Sequence, residues 1–480
     1  MASNNCKMDL RGFISRLEEQ GLLHRITKEV DWDLELSHVA KLNEEKKGPA
    51  LLFENVKDGN GIPVLTSAYT TASRFAVALG MPTDTNMCDL SRHWMQMATK
   101  ELIKPVVVDS GPVFENVLEG DDIDLGYFPT PKMYPLDGGR FIGTAVYLVT
   151  RDPDSGWINL GTYRMQILDD KKSVGIQIIK GKHADFMIKK YQKLGKLMPA
   201  AAVIGGSPLG FLTGSSMVSA ETSEYEIIGT LQGAPVETFI SDLTGLPLPN
   251  DAEIILEGFV DPNPDNFRHE GPFGEYTGYY SGKKSDEWPK PWLDIKRVLH
   301  RNKPILWSTT VGKPVTDTHM VQSLNRTATL WTDLENMRVP GIKSVYIPAN
   351  STGRFWAIVS VEQKYPGHSN HAANAVIATT TGHYGLKGVI VVDSDIRADD
   401  WDKVMWAMSV RYNPATDTQI ITRGRSTPLD PSLPIHAREI VGRILIDACI
   451  PYEWERKPIE IELDEDVKAA VASKWSEYGF

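Results

Sequence analysis

The chain has 480 residues, with 51 Lys and Arg against 62 Asp and Glu, a net charge of −11, and 41% hydrophobic and 24% charged residues. This is globular composition at a length beyond one ordinary core, so two or three domains are expected. An acidic chain without a basic stripe repels a phosphate backbone, which excludes nucleic acid as a partner; Cys6, Cys88 and Cys449 are too scattered for a disulfide framework or a thiolate metal site and point to a reducing, cytoplasmic setting.

In chain order, Asp9 is placed to cap a helix whose Leu10, Phe13, Ile14 and Leu17 share one face and which Gly21 ends. The N-terminus thus reads as a helix rather than a signal peptide. Residues 51–53 read as a buried strand and 72–79 as a helix stopped by Gly80. From 141 the texture turns strand-rich: 141–150, 157–168 and 174–179, separated by turns at 152–156 and 169–172, form an antiparallel meander. The apolar stretch 200–211 is broken by Gly205, Gly206 and Pro208, so no membrane span is expected. Further strands are expected at 236–240 and 252–259, with helices between. After Thr316 the apolar runs 344–347, 356–361 and 388–392 suit buried strands; with helices at 371–381 and 401–411 and a strand at 419–422 they make a βαβ texture. Residues 464–478 read as a charged amphipathic helix, packed on its own domain or serving as a dimer contact. The fold class is multidomain α/β (α+β): an N-terminal α/β domain at 1–114, a central antiparallel β domain at 115–315, a C-terminal α/β domain at 316–460 and a final helix at 461–480.

The most unusual local sequence runs from His269 to Tyr280. Glu270 and Glu275 flank Gly271-Pro272-Phe273-Gly274, a turn able to aim both carboxylates into one cavity, where like charges would split their pKa values. An exposed acidic turn between strands reads the same residues without chemistry. In the strand 157–168, alternation puts Leu160, Thr162 and Arg164 on one face and Asn159, Gly161 and Tyr163 on the other. An arginine in an apolar strand needs a carboxylate, and Glu270 or Glu275 could supply it; a strand-edge arginine facing water is the alternative. Asn159, His183 and Glu224 offer an oxygen, an imidazole and a carboxylate, a mixture suited to Mg²⁺ or Mn²⁺, although their scatter along the chain gives spacing no say. No Walker loop, G-x-G-x-x-G after a strand or G-x-S-x-G elbow occurs.

Together these segments resemble the UbiD family of prenylated-FMN-dependent decarboxylases. The resemblance covers the Asp9-Leu10-Arg11 helix, the strand 159–166, the turn 270–280, Lys364-Tyr365-Pro366-Gly367-His368, and the run from Lys387 through Asp395 to Trp401, Trp406 and Arg411. It implies a central split-barrel flavin domain and a reversible, non-oxidative decarboxylation of an aromatic, heteroaromatic or α,β-unsaturated acid through a covalent adduct with prenylated FMN. Arg164, Glu270 and Glu275 match the family's catalytic set, Glu275 being the proton donor. Asn159, His183 and Glu224 match the ligands of a divalent metal, Mn²⁺ or Mg²⁺, that bridges to the flavin phosphate. The segment Ser215–Ser216–Met217 matches a potassium loop. Thr162, Tyr163, Arg164, Lys182, Ser216, Met217, Glu224 and Lys387 are expected against the cofactor, Lys387 at its phosphate. The resemblance also implies a flavin prenyltransferase as cofactor supplier, CO₂ and a small carboxylic acid as ligands, and a homodimer or homohexamer. A subunit of a multi-component aromatic carboxylase and an ordinary FMN-binding split-barrel redox protein are the competing readings. Lys182 stands where some relatives have glutamine and Val218 where they have proline; with Tyr276 beside the donor glutamate, these departures leave the substrate open.

Overall fold

The computed structural model describes residues 7–98, 100–216, 218–281 and 289–479. Three larger sheets, of four, eight and five strands, and two small ones of three and two strands organise the described residues, with helices around them. The first helix, Leu10–Glu19, forms as expected: the Asp9 carboxylate accepts from Gly12 N at 2.8 Å, and Leu10, Phe13, Ile14 and Leu17 are buried. Arg11 clamps this helix to the central sheet. Its Nε and Nη2 donate to the two oxygens of buried Glu253 at 2.8 and 3.0 Å. The strand Ala50–Phe53 and the helix Ala72–Ala78, followed by Gly80 at φ 65, also match expectation.

The central sheet positions the site. Its strands lie in the order Ile158–Gly161, Val146–Arg151, Met198–Ile204, Ile254–Val260, Trp292–His300, Ser173–Ile176, Met165–Ile167, with Asn116–Glu119 also paired to Trp292–His300. Every pairing among them is antiparallel. The first and last strands of this order are separated in sequence by residues 162–164 alone, so the sheet has to curl until its two edges meet. A lone bridge between Gly143 and Met165 marks the seam. The single strand expected over 157–168 is therefore two strands, and Arg164 stands in the link between them. Met198–Ile204 is buried at every position but Pro199, because the helix His183–Leu194 packs on it.

The C-terminal sheet has the order Ile342–Tyr346, Trp356–Val361, Gly388–Asp393, Ile440–Ala448, Thr418–Arg425, with its inner pairs parallel and its outer pairs antiparallel. The helices His368–Ala378 and Trp401–Val410 fall where the βαβ reading puts them. The tail is a helix at Glu465–Ala472 and a 3₁₀ turn at Trp475–Tyr478. Leu306–Trp307 pairs in parallel with Val64–Thr66, so the end of the central segment completes the N-terminal sheet. Among the described residues no helix is long and apolar enough to cross a membrane.

The longest helix, Asp317–Asn336, links the C-terminal unit to the site. Thr316 caps it, and Thr316 N donates to His319 Nδ1 at 3.0 Å. Burial pushes His319 down to about 4, so the ring is neutral, and with Nδ1 accepting, its proton sits on Nε2. That Nε2–H donates to the Tyr276 carbonyl at 2.6 Å, fixing the residue next to Glu275.

Candidate active site

Arg164, in the seam of the barrel, gathers both glutamates of the turn. Nε donates to Glu270 Oε1 at 2.7 Å and Nη2 to Glu270 Oε2 at 2.9 Å, a two-pronged fork, while Nη1 donates to Glu275 Oε1 and to Ser281 Oγ at 3.3 Å. The guanidinium lies 4.6 Å over the Phe273 ring. Glu270 is 1% exposed and Glu275 8%, which removes the exposed acidic turn as an explanation. One cation faces two buried carboxylates, so a single proton neutralises the group. Burial raises the Glu275 carboxyl and the Glu270 charge raises it further; Arg164 and the Ser281 hydroxyl pull the other way, and the net shift is upward.

The turn is held by residues that its own sequence does not reveal. Gly271 has φ +91, and its N–H donates to Gln166 Oε1 at 2.6 Å. Gln166 Nε2 in turn donates to the Gly138 carbonyl at 3.1 Å, and Gly138 N donates to the Pro272 carbonyl at 2.7 Å. Asp137, pushed up to about 6 by burial, accepts from Gly274 N at 2.9 Å. The compact Asp137-Gly138-Gly139 turn was the available signal for this support, and its significance appears only once the chain has folded.

At the other end of the link, Asn159 Oδ1 lies 2.8 Å from His183 Nδ1, and Glu224 Oε2 accepts from Leu160 N at 2.7 Å. Trp157 fixes the imidazole edge-on at 4.8 Å. Burial pushes Glu224 up to about 8, opposed only by backbone donors, and burial together with Lys182 pushes His183 down. Glu224, with no ion pair among the described residues, is held at Leu160 N next to the Asn159–His183 pair, and a divalent metal would accept all three as donors. Among the described residues no group of three His, Cys, Asp or Glu assembles a metal site, so the asparagine is integral to this reading.

The remaining expected contacts divide. Thr162 N donates to the Gly214 carbonyl at 2.9 Å, and its buried Oγ1 has no partner among the described residues. Tyr163 folds over Gly161, where a Cβ would fall 2.4 Å from its ring. Ser215 and Ser216 bond back to the Leu212 and Thr213 carbonyls, and Asn325 reaches Ser215 Oγ at 3.1 Å while its buried Oδ1 has no partner among the described residues. These spare oxygens are consistent with a polar ligand and a monovalent cation in the cleft. Met217 lies outside the described residues. Lys387 is already paired, its Nζ 2.7 Å from both Asp430 Oδ1 and Ser432 Oγ.

Comparison with known proteins places the chain in a family. Family models for the N-terminal, Rift-related and C-terminal domains of 3-octaprenyl-4-hydroxybenzoate carboxy-lyase match residues 14–94, 104–314 and 319–448. An uncharacterized protein of Synechocystis sp. is 31% identical over 98% of this chain and 96% of its own length. The UbiD-class enzyme HmfF of Pelotomaculum thermopropionicum, solved with FMN, superposes with a TM-score of 0.86 at 28% identity, over 96% of this chain and 99% of its own. The vanillic acid decarboxylase of Sedimentibacter hydroxybenzoicus does so with a TM-score of 0.86 at 29% identity, over 98% and 99%. An evolved dimeric HmfF solved with prenylated FMN has a TM-score of 0.80 at 28% identity, over 95% and 99%. Fold and site thus define a flavin-linked carboxy-lyase. The chain belongs to the UbiD family.

A methyl on Gly138 would lie 1.8 Å from the Gly271 carbonyl oxygen. Gly138→Ala is therefore expected to lower stability by roughly 1–3 kcal/mol through overpacking. It should lower CO₂ release about 100-fold, because a shift of the turn on the order of 1 Å moves both glutamates. Thermal melting and a CO₂ assay on the same preparation check this.

Proposed function

We propose that the protein is a prenylated-FMN-dependent decarboxylase of an aromatic, heteroaromatic or α,β-unsaturated acid, with Glu275 as the proton donor. The observation that carries this is the buried Arg164 fork, holding two carboxylates in the seam of the flavin-domain barrel. Losing CO₂ from an sp² carbon leaves an electron pair that no side chain can accept; prenylated FMN, when bound, supplies that sink. Glu275 gives its proton to the carbon that held the carboxylate, becomes ionised, and regains a proton from solvent. Arg164 offsets one of the two carboxylate charges then present, and the Glu270 charge favours the return of the proton to Glu275. Because each step is reversible, high CO₂ drives carboxylation.

In the same proposal, Asn159, His183 and Glu224 hold Mn²⁺ or Mg²⁺ at the flavin phosphate, and the loop around Ser215 and Ser216 takes potassium. Thr162, Tyr163 and Lys182 border the cofactor. Lys387 reaches the phosphate by exchanging Asp430 for it. A flavin prenyltransferase supplies the cofactor. Leu463, Val467 and Val471 of the tail are exposed, which supports an assembly of chains, a homodimer or homohexamer, through that helix.

The test is production of the chain together with a flavin prenyltransferase, followed by a screen of acids for CO₂ release. An ordinary FMN spectrum with reversible redox chemistry and no CO₂ from any acid would favour a redox flavoprotein instead. The pH profile carries a sign of its own. Burial disfavours the ionised form of Glu275, so its donor form persists above the ordinary value of 4.5 and is lost as pH rises. Decarboxylation is expected to decline on the alkaline side, with a midpoint above that of an exposed glutamate. Rate measurements across pH, wild type against Glu275→Asp, should show that limb moving.

A further inference from the structure

Three cations lie within electrostatic reach of one another near the turn, and among the described residues no carboxylate pairs with any of them. Arg326 is 8% exposed, and among the described residues its guanidinium makes no hydrogen bond or ion pair. Arg354 Nε donates to Gln322 Oε1 at 3.2 Å, and among the described residues it meets no carboxylate. Lys182 lies 5.6 Å from the centre of the Tyr163 ring, and no carboxylate among the described residues pairs with it. Each is within electrostatic reach of the others. Lys182 keeps much of its surface open to water.

Among the described residues the other arginines with little exposure have acceptors for at least part of the guanidinium. Arg164 has two glutamates, Arg74 the Gly48 carbonyl and Thr70, and Arg443 the His383 and Arg425 carbonyls. An unmatched buried guanidinium is costly, and a group of three cations more so, unless an anion visits them. Burial and Arg354 push Arg326 down to about 9, which shows the same strain. The group is next to the chemistry. Arg354 lies 5.1 Å over the ring of Tyr276, the neighbour of Glu275, and 6.0 Å over that of Tyr384; Arg326 acts on both rings. Tyr163, under Lys182, precedes Arg164.

We propose that Lys182, Arg326 and Arg354 bind a second acid group of the substrate, so that the enzyme acts on dianionic aromatic acids, losing one carboxylate at Glu275 while the cations hold the other. This rests on the decarboxylase reading above. The flavin phosphate is an anion of the same oxygen chemistry, but its expected holders are Lys387 and the metal on Asn159, His183 and Glu224, whereas Arg326 and Arg354 are within electrostatic reach of Tyr276.

The test uses holoenzyme and compares isophthalate and terephthalate with benzoate, by equilibrium binding and by CO₂ release, with bound flavin per chain measured throughout. At least one dicarboxylate is expected to bind about tenfold or more tighter than benzoate and to release CO₂ faster. Arg326→Met should reduce that preference about 30-fold, the effect of losing one charge-assisted contact, and Arg326→Lys should restore most of it. Arg354→Gln, at a partly exposed position, should reduce it in the same direction if Arg326→Met fails to fold. Release of CO₂ from benzoate-type acids without a dianion preference would overturn the inference and leave the decarboxylase reading intact. Preferential binding with no CO₂ from any acid would remove the decarboxylase reading and the substrate role with it. Loss of flavin in Arg326→Met with the preference unchanged would assign the cations to the cofactor phosphate and overturn the inference.

Discussion

Glu275→Gln is expected to lower CO₂ release by about a thousandfold or more, the loss of a positioned general acid, while the protein stays folded and keeps its flavin. The amide is close in shape to the carboxyl but cannot deliver a proton to carbon. Its carbonyl can still accept from Arg164 Nη1, and the two contacts from Arg164 to Glu270 do not involve it. The variant therefore separates proton delivery from the architecture around it. Steady-state CO₂ release, with the flavin spectrum and melting temperature recorded on the same sample, checks this. A variant retaining wild-type turnover would take the donor role away from Glu275.

The second large effect is expected at the opposite end of the seam. His183→Ala and Glu224→Ala should each reduce retained flavin and metal by about 10- to 100-fold, the usual range for disturbing a metal's surroundings. Glu224→Ala should also remove a buried carboxyl whose ionised form its surroundings disfavour, since burial raises it and only backbone donors, Leu160 N among them, oppose this. The expected pattern is loss of cofactor without loss of fold, the reverse of Glu275→Gln. Flavin and metal contents of the purified variants measure it directly; full contents in both would remove the metal site.

Much of this was legible in the residues. The Asp9 cap, the one-faced helix behind it, the strand Trp356–Val361 and the helix Trp401–Val410 follow from local periodicity, which needs no knowledge of distant partners. The turn 269–280 was conspicuous because glycine and proline declare backbone geometry locally. The break at 162–164 was not legible: alternation runs smoothly through it, and only closure of the barrel forces the strand to divide. The helix Asp317–Asn336 was hard to place because it is buried on several sides and lacks a clean apolar stripe. Gln166, Asp137 and Gly138 support the turn across the fold, and Arg326 and Arg354 meet Lys182 only through tertiary packing. Lys387 shows the converse. Its position was readable, but its ion pair with Asp430 depends on a residue 43 positions away.

The central claim is that Glu275 exchanges a proton between solvent and the carbon that carries the carboxylate. It is tested most directly by incubating holoenzyme in D₂O with the decarboxylated product of whichever acid it accepts, without CO₂, and following deuterium by NMR. The wild type is expected to place deuterium at that one carbon and Glu275→Gln to place none. Exchange at an equal rate in the variant, or no exchange by a wild type that releases CO₂ from the parent acid, would contradict it.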